Sequence, residues 1–429
     1  MMEMAGTPPI PGERTGRAAS EQEGGPLVER TDLRAQLAAG AAAPCPQCGD
    51  LAPAETDGTC PACGARRPAL RDHVELVVGA AAAITDRGLR RRRNEDAVEL
   101  GRRVEGGVET WVAVVCDGVA SARRGDEAAL AAASAAVGAA LETAAAPATP
   151  PTGFRAVSAS QNTGPVTVDP EADVAEGRPG RAGTGLGGEL DALATAASAA
   201  GATAAADLGL SGGDSPACTY VAAIVRGGDA VVSWIGDSRA YWLAADGSSR
   251  LLSTDDSWAE EIANAGLMSR EEAARDRRAH VLTRWLGRDA PGGPAHARRV
   301  RLGVPGLLLL CSDGLWNHVP DPAVLARLAA PALRELAAAD DGDRVGGSAE
   351  ADLAPEGGDA PDHPVLAAAT ALLRAALDDG GSDNATLALV PVVPPAELRD
   401  RRPSVAVDAR GPDERTGPIP LDGEGVVDR

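Results

Sequence analysis

Short apolar runs that stop at a carboxylate constrain this chain most. Val112–Val115 (VAVV) leads into Cys116-Asp117-Gly118, Val231–Ile235 (VVSWI) into Gly236-Asp237-Ser238-Arg239, and Leu307–Leu310 (LLLL) through Cys311 into Ser312-Asp313-Gly314. Runs this short and this continuous read as buried strands. Each therefore leaves an aspartate at a strand end. Asn94-Glu95-Asp96 and Ser382-Asp383-Asn384 extend the series. A lone aspartate at a strand end is usually a turn or cap residue. Five acidic motifs in one domain are not explained that way, and carboxylates converging on one spot make a site for hard divalent cations.

Composition narrows the chemistry. The chain has 429 residues, room for one large domain or two or three smaller ones. Hydrophobic residues make up 44% but aromatics only 2%, so the core must be built from Ala, Leu and Val. The net charge of −21 repels phosphate backbones and argues against nucleic acid as a main partner. The sequence contains no lysine, which excludes a P-loop, a kinase-type nucleotide lysine and Schiff-base chemistry. A lysine-free, Ala- and Arg-rich chain fits a high-GC bacterial genome. There are five histidines and no H-E-x-x-H pair, so magnesium or manganese is expected in place of catalytic zinc. Met1–Arg14 has no apolar signal core, and no run approaches the roughly 20 apolar residues of a membrane span. A soluble, cytoplasmic protein with no membrane partner is expected.

Residues 1–43 are rich in Gly, Pro, Glu and Arg and read as disordered, apart from a short helix near Thr31–Ala39. Residues 44–66 hold Cys45, Cys48, Cys60 and Cys63 in two C-P-x-C-G halves, with eleven residues between Cys48 and Cys60. Each half has the form of a zinc knuckle, so a four-cysteine zinc-ribbon with one structural zinc is expected; a redox or disulfide pair is the alternative. Cys116, Cys218 and Cys311 sit singly in or beside apolar runs and read as buried core thiols.

From about 74 to 392 strand-like and helix-like stretches alternate. Strands are expected at His73–Ala83, at Ala97–Arg103 and Glu109–Cys116 around a Glu105–Gly107 turn, at Gly306–Cys311 and at Ala385–Val390. Thr219–Arg226, Ala230–Ile235 and Ala240–Leu243 read as a three-stranded meander. Asp126 is expected to cap a long helix reaching Ala146, and His363–Leu377 reads as an amphipathic helix. Residues 147–188 and 340–362 read as flexible inserts, and 393–429 as a disordered tail. Gly183–Gly188 fits G-x-G-x-x-G, but a Pro/Gly linker precedes it where a strand is required, so no dinucleotide site is expected.

Six segments occur in order: TDRGLRRRRNEDA (Thr85–Ala97), VAVVCDG (Val112–Gly118), VVSWIGDSRAY (Val231–Tyr241), LTRWLG (Leu282–Gly287), LLLLCSDGLW (Leu307–Trp316) and GGSDNATLALV (Gly380–Val390). The set resembles the metal-dependent protein phosphatases of type 2C, the PPM family, across residues 74–392. The resemblance implies an α+β fold, a four-layer α-β-β-α sandwich of two antiparallel sheets flanked by helices. It implies hydrolysis of phosphoserine and phosphothreonine on proteins through a dinuclear magnesium or manganese centre with a metal-bridging hydroxide. Phosphorylated proteins, Ser/Thr kinases or their substrates, would be the partners. By motif, Asp117 would bridge the metals, Gly118 would add its carbonyl, and Asp313 and Asp383 would be direct ligands. Glu95 and Asp96 would hold metal-bound waters, and Asp237 with Asp313 a third, looser ion. Arg91 would grip the substrate phosphate, with Arg90, Arg92 and Arg93 as competing candidates.

Three places depart from the family pattern. Val119-Ala120-Ser121 follows the bridging Asp-Gly where a Gly pair is usual, and Val119 stands where many eukaryotic members have a proposed acid histidine. Asp256 replaces the His of LTxDHS, and residues 258–280 would then be the flap over the cleft. The altered loop leaves a second reading open: a catalytically weak scaffold or phosphopeptide-binding module whose zinc-ribbon recruits a protein partner.

Overall fold

The computed structural model describes residues 26–39, 45, 47–49, 59–65, 69–119, 122, 124–144, 186–208, 215–342 and 363–395. In chain order its strands are β1 (Leu27–Arg30), β2 (His73–Val78), β3 (Ala81–Asp86), β4 (Ala97–Glu105), β5 (Val108–Cys116), β6 (Ala217–Cys218), β7 (Tyr220–Arg226), β8 (Asp229–Ile235), β9 (Arg239–Ala244), β10 (Arg250–Leu251), β11 (Leu286–Gly287), β12 (His296–Arg301), β13 (Gly306–Cys311) and β14 (Ala385–Val392). The helices are α1 (Leu33–Ala39), α2 (Gly125–Thr143), α3 (Leu186–Asp207), α4 (Trp258–Asn264), α5 (Arg270–Ala274), α6 (Asp313–Trp316), α7 (Pro322–Leu328), α8 (Ala330–Gly342) and α9 (Pro364–Asp378). None of the described helices is long and apolar enough to cross a membrane.

Two six-stranded antiparallel sheets carry the fold, in the orders β1-β4-β5-β7-β8-β12 and β10-β9-β13-β14-β3-β2. The apolar runs explain the layering, because successive strand side chains point to opposite faces. On β5, Trp111, Ala113 and Val115 enter the core between the sheets, while Val112, Val114 and Cys116 face α2 and α3. On β13, Leu308 and Leu310 enter the same central core, while Leu307, Leu309 and Cys311 face α7, α8 and α9. Both faces are covered, which is why these strands read as unbroken apolar runs. Small residues fill the outer layer: Ala128, Ala129, Ala132, Ala133 and Ala136 of α2 are all fully buried.

Several expectations change. The strand expected over His73–Ala83 is a hairpin, β2 and β3, turning at Gly79. The meander breaks after β8: β7 and β8 lie in one sheet and β9 in the other. The crossing occurs at Gly236, whose φ of +100° and whose Cβ direction, 2.8 Å from Thr219 Cγ2, leave no room for a side chain. Asp126 is the second residue of α2 and does not cap it; the cap position is Arg124, left-handed at φ +63°. That helix is described as far as Thr143, and residues 145–185 lie outside the described residues.

The N-terminal segment is not wholly disordered. β1 pairs with β4, and Thr31 N–H donates to the Leu100 carbonyl at 2.9 Å. Leu33 is fully buried beside α2, and its N–H donates to Glu99 Oε1 at 2.8 Å. A single buried leucine and one buried carboxylate fasten a segment whose composition otherwise reads as unstructured. The expected inserts are also shorter: residues 186–188 already belong to α3, and 340–342 to α8. Residues 1–25, 343–362 and 396–429, on which the remaining expectations of flexibility fall, lie outside the described residues.

Candidate metal and phosphate site

The acidic motifs meet at one end of the sandwich. Asp117 follows β5 and Asp237 follows β8 in the first sheet; Asp313 follows β13 and Asp383 precedes β14 in the second. A cleft of about 190 Å³ opens there, lined by Arg91, Glu95, Asp117, Gly118, Asp237, Asp313 and Asp383, with His280, Leu282 and Asn384 on its walls. Of the residues expected to serve magnesium or manganese, Asp96 alone does not line the cleft. It lies fully buried behind the cleft, where Ser312 Oγ donates to its Oδ2 at 2.8 Å and its Oδ1 has no hydrogen-bond partner.

Local hydrogen bonds fix each element. Asp117 and Thr219 exchange two bonds: Asp117 N–H donates to Thr219 Oγ1 at 3.1 Å, and Thr219 N–H to the Asp117 carbonyl at 2.8 Å. Trp316 Nε1 donates to the Asp237 carbonyl at 2.9 Å. Asn384 binds the loop that carries Arg91 and Glu95. Its Oδ1 accepts from Glu95 N–H at 2.8 Å, and its Nδ2 donates to the carbonyls of Arg87 at 2.8 Å and Arg93 at 3.0 Å. Asn94, the first residue of the NED motif, is buried and donates to the Arg71 carbonyl and Thr85 Oγ1. Gly314 packs against that network, since a Cβ there would stand 1.9 Å from the Asn384 carbonyl oxygen.

Among the four neighbouring arginines, only Arg91 lines the cleft; Arg90 and Arg92 are exposed, and Arg93 binds Glu95 Oε1 through its Nε at 2.8 Å. Arg91 Nη2 donates to Asp383 Oδ2, and that hydrogen bond, against the cost of burial, raises its guanidinium pKa further. Asp256, in the place of the family's histidine, closes the Gly236 turn instead of lining the cleft. It accepts from Gly236 N–H at 2.9 Å, and its Oδ1 lies 2.8 Å from His296 Nε2. Residues 258–280 form α4, α5 and a following loop that brings His280 to the cleft. The residues missed in the sequence are Thr219, Asn384, Ser312 and Trp316. Asn384 and Ser312 stood inside acidic motifs, whereas nothing around Thr219 marked it.

Electrostatics show what this arrangement wants. Burial, then Asp96 and Asp313, pushes the Asp117 carboxyl well above the usual carboxylate range. Burial and Asp313 do the same to Asp237. Burial lifts Asp96 to about 7, and burial with Asp383 lifts Asp313 to about 6. These acids resist ionising together, and an unpartnered Asp96 oxygen sits behind them. Such an all-oxygen set fits Mg²⁺ or Mn²⁺, which also keep waters. Among the described residues only the cysteines gather three or more ligand atoms within 4.8 Å of one another.

Those cysteines form a separate cluster. Cys45 and Cys60 are buried, Cys48 and Cys63 exposed, with Sγ–Sγ distances of 3.8 Å for Cys45–Cys63 and 3.6 Å for Cys48–Cys60. Gly49 and Gly64 N–H groups fold back onto the Cys45 and Cys60 carbonyls, both at 2.8 Å, making each half a knuckle. Four thiols this close fit a tetrahedral zinc ion. The single thiols Cys116, Cys218 and Cys311 are buried. Burial raises the pKa of Cys116 and Cys311, as inert core thiols require.

Comparison with known proteins follows the same line. The Protein phosphatase 2C family description matches residues 90–354, well over half of the chain. A serine/threonine phosphatase of Listeria innocua is 38% identical over 103 residues, covering 24% of this chain and 40% of that protein; its Listeria monocytogenes counterpart is 37% identical over 103 residues. The chain thus matches about two fifths of the length of these curated relatives. Among solved structures, a PPM Ser-Thr phosphatase of Mycobacterium smegmatis overlays 74% of this chain and all of its own, with 24% identity and a TM-score of 0.46.

Proposed function

The chain belongs to the protein phosphatase 2C family, and from that premise we propose that it hydrolyses phosphoserine and phosphothreonine on proteins. The observation that carries this reading is the meeting of Asp117, Asp237, Asp313 and Asp383 with Arg91 in a single cleft. Asp117, Asp313, Asp383 and the Gly118 carbonyl would hold two Mn²⁺ or Mg²⁺ ions, Glu95 and Asp96 their waters, and Asp237 with Asp313 a third ion. Such ions, when bound, would supply positive charge against the developing phosphoryl charge and would activate a water as the nucleophile. Arg91 provides the phosphate fork, because a guanidinium pairs with two phosphate oxygens at once. Its contact with Asp383 keeps it at the cleft wall. Buried Asn94 and Asn384 keep the Arg91–Asp96 loop in register with the strand ends.

Cys45, Cys48, Cys60 and Cys63 would hold one structural zinc, with docking to a partner protein as the unit's role. The cytoplasm is the expected compartment. The function is tested by phosphate release from an aryl phosphate and a phosphothreonine peptide with Mn²⁺. Turnover that Asp117→Asn abolishes supports the proposal. Tight phosphopeptide binding without turnover in any divalent metal would replace it with the scaffold reading.

A further inference from the structure

The catalytic cleft does not end at the metal-site carboxylates. Beyond Asp237 and His280, which line both spaces, a second cavity of about 260 Å³ runs between α4, α5 and the β9 end of the second sheet. It is larger than the cleft it joins, and its walls explain what could enter it. Two ion pairs in its wall are already matched. Arg239 binds Asp255 with Nη2–Oδ2 at 2.7 Å and lies over the Trp316 ring at 3.6 Å. Arg270 binds Glu260 Oε1 at 2.6 Å and Asn264 Oδ1 at 3.0 Å. Away from the mouth at Asp237 and His280, the remaining lining is Ser257 and four alanines, with Ala259 and Ala263 on one face of α4, and Ala274 and Ala279 opposite. Residues four apart on a helix present side by side, so the Ala259 and Ala263 methyls form a continuous wall.

Resting on the phosphatase reading, we propose that this cavity is a substrate side-chain subsite. It takes an apolar side chain flanking the phosphorylated residue, while the phosphate occupies the neighbouring cleft. Continuity through Asp237 and His280 sets the occupant: a chain whose phosphate reaches Arg91 has its neighbouring residues at the mouth of this cavity. The Arg239–Asp255 and Arg270–Glu260 pairs are self-neutralised and Asp237 sits at the mouth shared with the cleft, whereas four alanines and Trp316 offer apolar contact inside. The ion pairs also hold the walls apart. Arg239–Asp255 anchors the floor against Trp316, and Arg270–Glu260 ties α5 to α4.

The test uses phosphothreonine peptides carrying Leu or Gly, one position at a time, at the two residues on either side of the phosphothreonine. An aryl phosphate, which has no flanking residue, is the control. The wild type should prefer leucine at one position by about tenfold in kcat/KM, the scale of filling an apolar pocket. Ala263→Leu, and independently Ala259→Leu, should erase that preference mainly through KM and leave aryl-phosphate turnover unchanged. Retention of the leucine preference in both variants overturns the subsite, as does equal loss on peptide and aryl phosphate. Wild-type inactivity on every substrate would instead sink the phosphatase reading beneath it.

Discussion

Replacing Asn384 with alanine tests whether the Arg91 loop is held by one side chain. Asn384 is 3% exposed, and its amide satisfies three backbone groups: Glu95 N–H and the carbonyls of Arg87 and Arg93. A hydrogen bond contributes about 0.5–1.5 kcal/mol net, and an orphaned buried group costs about 1–3 kcal/mol. Three bonds in a partly wet loop therefore give a loss of about 3 kcal/mol. For a domain of this size that is a fall in melting temperature on the order of 6–12 °C. The loop carries Arg91 and Glu95, so turnover should fall more than about a hundredfold even at temperatures where the variant is folded, since misplacing a positioned group by about 1 Å can cost that much. Asn384→Asp is the stringent companion. It keeps the shape, loses both amide donors and sets a second carboxylate beside Asp383, so it should be at least as damaging. The assay pairs thermal unfolding with aryl-phosphate turnover. An Asn384→Ala protein that melts within about 1 °C of wild type and keeps full turnover would refute this reasoning.

Other perturbations follow from the same packing. Gly314→Ala forces a Cβ to within 1.9 Å of the Asn384 carbonyl and should cost on the order of 3 kcal/mol or more in urea unfolding. Glu99 is 1% exposed and accepts from Leu33 N–H and the Thr31 hydroxyl. Glu99→Ala should free residues 27–39, seen as new protease cleavage there and a loss of about 2–3 kcal/mol. The carboxyl pKa values of Asp96, Asp117, Asp237 and Asp313 are raised on folding, so their contribution is fully present below the ordinary carboxylate range and lost as pH climbs through the folded values. In a chelator, the melting temperature should therefore fall as pH rises from about 4, through Asp313 at about 6 and Asp96 at about 7. Mn²⁺ should remove most of that fall; an identical pH profile with and without metal would count against a cation site.

The sandwich was legible because β5, β8 and β13 announce themselves as apolar runs ending on carboxylates, and the site was legible because those ends converge. What stayed hidden has a physical cause in each case. Nothing local marks Gly236 as the point where the chain changes sheets, since the strands on both sides have the same period. The strap at residues 27–39 rests on Leu33 and the buried Glu99, 66 residues apart in sequence and invisible to any window. Arg124 holds a left-handed cap that composition assigns to Asp126. Asn94 and Asn384 stand in the sequence beside expected ligands, but their work is to hydrogen-bond backbone across up to 297 residues of sequence.

We propose that converging carboxylates and Arg91 make this chain a metal-dependent phosphatase. The most direct test of that claim is phosphate release from a phosphothreonine peptide by the full chain in Mn²⁺, beside Asp117→Asn. The wild type should turn over, and both chelation and the substitution should abolish that turnover. Undiminished turnover by Asp117→Asn, or none by the wild type in either Mn²⁺ or Mg²⁺, would contradict it.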